Sequence, residues 1–165
     1  MNPSPALMVR MVLTAWETQH KRTTKVFDSL SDEQLLKEIA PGRNRGVYLL
    51  GHLTAVNDNL FKLFGLGEPS LPTFYDQFVK EADQPEAALP PIATLRKQWT
   101  DTGAALLKAM NTLTPEQWFD RHTAVSAEDF AREPHRNKLN VLMTRITHEG
   151  YHHGQLILLQ PKEQA

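Results

Sequence analysis

Apolar residues recur along the chain at intervals of three and four positions, the spacing that puts them on one face of an α-helix. Four long segments carry this pattern: residues 6–30, 47–64, 91–113 and 137–160. Gly65 and Gly67 follow the second segment and Pro161 follows the fourth, and both residue types end helices. No stretch shows the sustained alternation of a strand, so the sequence predicts an all-α fold, namely a four-helix bundle.

The connections between the long helices are less regular. Ser31 and Gln34 form a capping-box pattern, which predicts a short helix that continues through Ile39. A second short helix is predicted within residues 71–82, where the apolar residues Phe74, Phe78 and Ala82 recur every four positions. Residues 122–136 are predicted to form a polar loop.

Composition narrows the class of protein. The 165 residues are 41% hydrophobic and 22% charged, which indicates one soluble domain over residues 1–165 with a sizeable core. The net charge of −1 does not indicate the excess of basic residues that favours binding to nucleic acid or to an anionic membrane. The absence of cysteine excludes thiolate ligands, so any metal must be bound by histidine and carboxylate. We see no signal peptide and no membrane-length apolar run, and we expect a cytoplasmic protein.

Histidines supply the candidate chemistry. His148 and His152 stand four residues apart on one helical face, where two imidazoles can hold one divalent metal. His52 lies within the apolar stripe of the second long helix, either as a core residue with a buried partner or as a third ligand. The presence of His148 and His152 on the fourth helix favours the interpretation of His52 as a third ligand. His153 points away from that pair and is interpreted as a packing or interface residue. Three others are expected at the surface: His20, His122 and His135.

Residues His148 to His152 also match the H-E-x-x-H pattern of zinc proteases, in which the glutamate is the general base. Those enzymes usually take a third ligand downstream, and the one candidate there is Glu163, beyond Pro161. We therefore favour a metal site of another kind than that of the zinc proteases. In such a site, Glu149 is a base or a partner of the neighbouring histidine, or else an ordinary solvated carboxylate.

Two motifs together resemble those of the DinB-like family: LLGHL at residues 49–53 and HEGYHHGQ at residues 148–155. The resemblance extends over nearly the whole chain. It implies a four-helix bundle with a divalent metal bound by one histidine from the second helix and two from the fourth. Matched by position, these are His52, His148 and His152. Zinc or nickel is the expected metal, with iron or manganese as alternatives.

The same resemblance bears on function, because characterised relatives include transferases and isomerases that depend on small thiols. It implies a metal-dependent enzyme acting on a small molecule, by thiol S-transfer or hydrolysis, with Glu149 as the candidate catalytic residue. Four other residues are candidates to orient ligands or substrate: Tyr48, Asn57, Asn59 and Gln155. The alternative is a stress-linked protein that binds a metal or a ligand without turnover. We also expect a homodimer, a low-molecular-weight thiol as substrate, and no nucleic-acid or membrane partner.

Overall fold

The computed structural model describes residues 4–161, and this range is all-α, without strands. It contains seven α-helices: α1 (Pro5–Ser29), α2 (Asp32–Leu35), α3 (Gly46–Phe64), α4 (Pro72–Tyr75), α5 (Ile92–Met110), α6 (Ala127–Arg132) and α7 (Lys138–Ile157). A π-helical turn, Asp76–Lys80, follows α4, and a 3-10 turn, Gln117–Phe119, follows α5. The four long helices are those that the apolar spacing predicts.

Local signals account for the ends of the long helices. The Ser4 hydroxyl accepts a hydrogen bond from the Leu7 N–H at the start of α1, and the Asn137 side chain accepts one from the Asn140 N–H at the start of α7. Gly65 ends α3 in the left-handed conformation, at φ 68°. The predicted bounds are therefore confirmed to within a few residues.

Two of the predicted connections need correction. The segment 122–136 is not only a loop, since α6 lies within it and begins where the Ser126 hydroxyl accepts from the Asp129 N–H. None of the α6 side chains is buried, so this helix has no apolar stripe by which to predict it. The short helix expected through Ile39 ends at Leu35, because the chain then turns back and Ile39 pairs with the loop ahead of α3.

The long helices enclose a divided apolar interior. The most extensive contacts join α1 to α7 and α3 to α5, and α3 also contacts α7 while α1 contacts α5. One core cluster surrounds Phe27, Leu50 and Phe78, and the other surrounds Trp16 and Trp118. No helix in the described range is long and apolar enough to cross a membrane.

His20 is largely buried, with 14% of its side chain exposed, contrary to the predicted surface position. Its ring stacks on Trp16 with centroids 4.9 Å apart and lies 4.2 Å from the Trp99 ring. Its Nδ1 is 3.6 Å from the buried carboxylate of Glu149. The prediction was wrong because α1 packs on α5 as well as on α7, and Gly103 of α5 leaves room for the imidazole.

The buried side of α7 does not coincide with its apolar residues. Met143 and Ile157 are 50% and 41% exposed. The buried residues of this helix are Leu139, Leu142, Glu149, His152 and Leu156. Apolar spacing could not anticipate this orientation, since two of the interior positions carry titratable side chains.

Gly103 provides a test of this packing. An alanine Cβ at that position would overlap the His20 ring, which cannot move aside because Trp16 and Trp99 flank it. We expect Gly103→Ala to lower the free energy of unfolding by about 1–3 kcal/mol in urea denaturation. As a control, Gly154→Ala adds a methyl group with no neighbour within 4 Å and should stabilise the helix slightly. Equal stability of the two variants would contradict the close packing.

Candidate metal centre

Three imidazoles converge between α3 and α7. His52 comes from the middle of α3, and His148 and His152 come from successive turns of α7. The Nε2 atom of His148 lies 3.2 Å from the Nε2 atom of His52 and 3.2 Å from that of His152. The structure thus brings together residues that stand 96 positions apart in the chain.

The donor set fits a divalent metal. Two imidazole nitrogens bound to one tetrahedral zinc-sized ion lie roughly 3.3 Å apart, since each metal–nitrogen bond is about 2.05 Å. The observed separations are 3.2 Å. Two unprotonated ring nitrogens at that distance repel each other unless a proton or a cation lies between them. No other histidine or carboxylate of residues 4–161 joins this group of three.

The connection after α3 orients the first imidazole. His52 Nδ1 is 2.7 Å from the backbone carbonyl of Phe78, which lies in the π-helical turn. A carbonyl only accepts, so Nδ1 carries the proton and the Nε2 lone pair points toward the other two rings. The fully buried Phe78 ring packs on Gly51, where any Cβ would overlap it. A helix within residues 71–82 is confirmed, and it positions this carbonyl.

Gln155 orients a second imidazole, in agreement with its predicted role. Its Oε1 lies 2.7 Å from His152 Nδ1, which therefore carries the ring proton. The lone pair of His152 Nε2 is then available for a metal. The third imidazole differs, because His148 Nδ1 is buried and has no hydrogen-bond partner in the described part of the chain.

The other predicted positioning residues lie around the cluster. The Tyr48 ring is nearly parallel to the His52 ring at 6.2 Å, and its hydroxyl donates to a backbone carbonyl 2.6 Å away. Asn59 lines a neighbouring cleft, and Asn57 is buried with its amide nitrogen unpaired in residues 4–161. Gln155 is the member of this set that contacts one of the three imidazoles.

Comparison with known families agrees with this geometry. A family model described as the DinB superfamily matches residues 15–156, a range that contains all three histidines. The chain belongs to the DinB superfamily. The resemblance carried by the two histidine motifs is therefore confirmed, and no curated protein matches the chain.

Burial keeps the imidazoles of this DinB-superfamily chain neutral. Desolvation is the largest cause for each and lowers the pKa of His52, of His148 and of His152. The effect is greatest for His148, whose pKa falls to about 4 because the two neighbouring imidazoles also oppose its protonation. The neutral form is the one that binds a metal, so little proton competition is expected at neutral pH.

Glu149 lies apart from this cluster, although it follows His148 in sequence. Its carboxylate is 2% exposed and lies near His20, since one helical residue turns the side chain by about 100°. Its catalytic role stays a prediction. His153 is likewise outside the group of three, and Glu163 lies outside the described residues.

Sequence reasoning missed two groups beside the imidazoles. The first is the Phe78 carbonyl, and a backbone acceptor leaves no mark in a sequence. The second is Arg145, which is close enough to oppose protonation of both His52 and His148 and so lowers their pKa. Helical spacing could have found it, because it precedes His148 by three residues and His152 by seven.

The lowered pKa values predict how stability of the metal-free protein depends on pH. Between pH 6.5 and about 4, the unfolded chain binds protons at positions such as His148 that the folded chain leaves neutral. Stability should therefore be fully present above pH 6.5 and decline as the pH falls through this window. Urea denaturation across the window measures the decline.

The histidine contribution can be separated from that of the carboxylates with a variant. His148→Gln should make the decline shallower, whereas His135→Gln, at an exposed loop position, should leave it as in the wild type. Identical pH profiles for wild type and His148→Gln would show that this imidazole is not held neutral by the fold.

Proposed function

We propose that this protein is a divalent-metal-dependent enzyme acting on a small molecule. In this proposal the four long helices form a four-helix bundle that binds the metal between α3 and α7, with His52, His148 and His152 as ligands. The convergence of three Nε2 atoms carries the proposal. The hydrogen bonds from two of the rings to Phe78 and Gln155 add support, because such partners orient metal-binding imidazoles.

Three ligands favour catalysis over a purely structural role. Structural zinc sites are closed by four protein ligands, whereas catalytic sites keep a position for water or substrate. No fourth candidate ligand joins the histidines among residues 4–161. When bound, a divalent metal would lower the pKa of a coordinated water or thiol and so supply a nucleophile at neutral pH. Zinc or nickel is our first expectation, and iron or manganese suits the same donors.

A cleft along α3 offers room for a substrate. It has a volume of about 980 Å³ and is lined by Ala55 and Asn59, which follow His52 on the same side of α3 at helical spacing. Thiol S-transfer and hydrolysis are the reactions that such a site would support. A low-molecular-weight thiol substrate and a homodimer belong to the proposal, and Met11 and Met143, 64% and 50% exposed, are apolar groups that a second copy could cover.

The ligand assignment is tested by metal content. We expect His52→Ala, His148→Ala and His152→Ala each to lose most of the bound metal, because two imidazoles cannot replace three. His153→Ala should keep it. Elemental analysis of protein purified without a polyhistidine tag decides the matter, and full occupancy in His52→Ala would contradict a site shared between α3 and α7.

Turnover is tested separately. Metal-loaded protein should catalyse either the addition of a small thiol to an electrophile or the hydrolysis of an activated substrate. A chelator should abolish the activity, metal should restore it, and His148→Ala should lack it. A site with four firmly bound protein ligands and no exchangeable position would instead favour the non-catalytic binding protein.

A further inference from the structure

Arg145 is a partly buried arginine on the histidine face of α7. Its spacing of three and seven residues from His148 and His152 puts all three side chains on one side of the helix. Its Nε atom is buried and has no hydrogen-bond partner within residues 4–161. Among these residues, the arginine ion pairs involve other positions. The guanidinium therefore lacks an anionic partner in the described part of the chain.

Other partly buried arginines have hydrogen-bond partners. Arg45 donates to the Asp83 carboxylate at 2.6 Å, and Arg96 donates to two backbone carbonyls at 2.6 and 2.7 Å. A buried polar group without a partner lowers stability, and in native proteins it often marks a place that a ligand occupies. The Nε atom of Arg145 is such a group, on the same helix face as His148 and His152.

Arg145 is close enough to His52 and His148 to oppose their protonation, and no carboxylate of residues 4–161 joins the group of three imidazoles. Glu149 directs its carboxylate toward His20 instead. Burial lowers the pKa of Arg145, but an arginine remains charged at neutral pH. A divalent metal with neutral ligands would add two positive charges, so this site favours anionic ligands.

Tyr75 lines the cleft along α3 and is near enough to Arg145 to raise the pKa of its guanidinium. Asn59, from the helix that carries His52, lines the same cleft.

We propose that Arg145 binds an oxyanion, either a carboxylate or a phosphate, of the small molecule whose other end binds the metal. The planar guanidinium presents its N–H groups in a fork that matches such oxyanions. The inference rests on the proposed function and adds the substrate class. The substrate would carry a thiol or another metal-binding group together with an acidic group a few bonds away.

Cobalt-substituted protein allows a direct test, because its visible absorption changes when a thiolate binds the metal. We would titrate it with mercaptopropionate and with the methyl ester of that acid, which is neutral. The acid should bind about tenfold more tightly or better, as expected for a charge-assisted hydrogen bond. Arg145→Met should lose most of this preference and keep only the part that the charge of the metal supplies, and Arg145→Lys should retain more of it.

The control is Arg22→Met, which removes the same charge from an exposed position of α1 and should keep the preference. Circular dichroism and cobalt content show whether each variant is folded and loaded. Equal binding of acid and ester by the wild type, a preference that survives undiminished in Arg145→Met, or no binding of the acid would overturn the inference. Failure of the wild type to take up cobalt would instead defeat the proposed function.

Competition distinguishes the two kinds of oxyanion. If inorganic phosphate displaces mercaptopropionate from the wild type at lower concentration than acetate does, the site prefers a phosphate. The reverse order assigns a carboxylate. In either case the stronger competitor should lose its lead over the weaker one in Arg145→Met, since the guanidinium of Arg145 is the group that binds either oxyanion.

Discussion

Three imidazole Nε2 atoms that converge on one point form the constraint around which this helical protein is arranged. Their lone pairs repel one another unless a proton or a cation lies between them, so the fold must hold each ring in position. For His52 the holding group is the Phe78 carbonyl, and for His152 it is the Gln155 side chain. Desolvation adds to the effect by keeping the rings neutral. The three imidazoles could thus hold a cation, and the groups that orient two of them are not among the candidate ligands.

Much of this could be predicted from the sequence, for identifiable reasons. The long helices follow from apolar spacing, and their ends follow from caps such as Asn137 and Gly65. The proximity of His52 to the pair on α7 followed from two motifs read together, since neither spacing alone joins two helices. Gln155 could be anticipated because it lies three residues from His152 on the same helix.

What escaped prediction depends on tertiary packing. His20 lies on a helix face whose residues are polar in the sequence. That face is covered by α5, because Gly103 has no side chain and lets the α5 backbone approach the His20 ring. The carboxylate of Glu149 is buried because His20 lies next to it, whereas the apolar Met143 is left exposed. A hydrophobic pattern would instead predict that Met143 is buried and Glu149 exposed. Similarly, α6 has an N-cap at Ser126 but no buried side chain, so the apolar spacing of the sequence does not indicate this helix.

The contact between Gly51 and Phe78 has a consequence for the segment between α3 and α5. Because the same Phe78 residue packs on α3 and accepts from His52, docking of this segment and ordering of the imidazole are one event. Thermodynamic linkage then works in both directions. A cation bound at the histidines would hold the segment in place, and loosening the segment would weaken the cation's hold. The stability of this connecting segment would therefore depend on whether the histidines hold a cation.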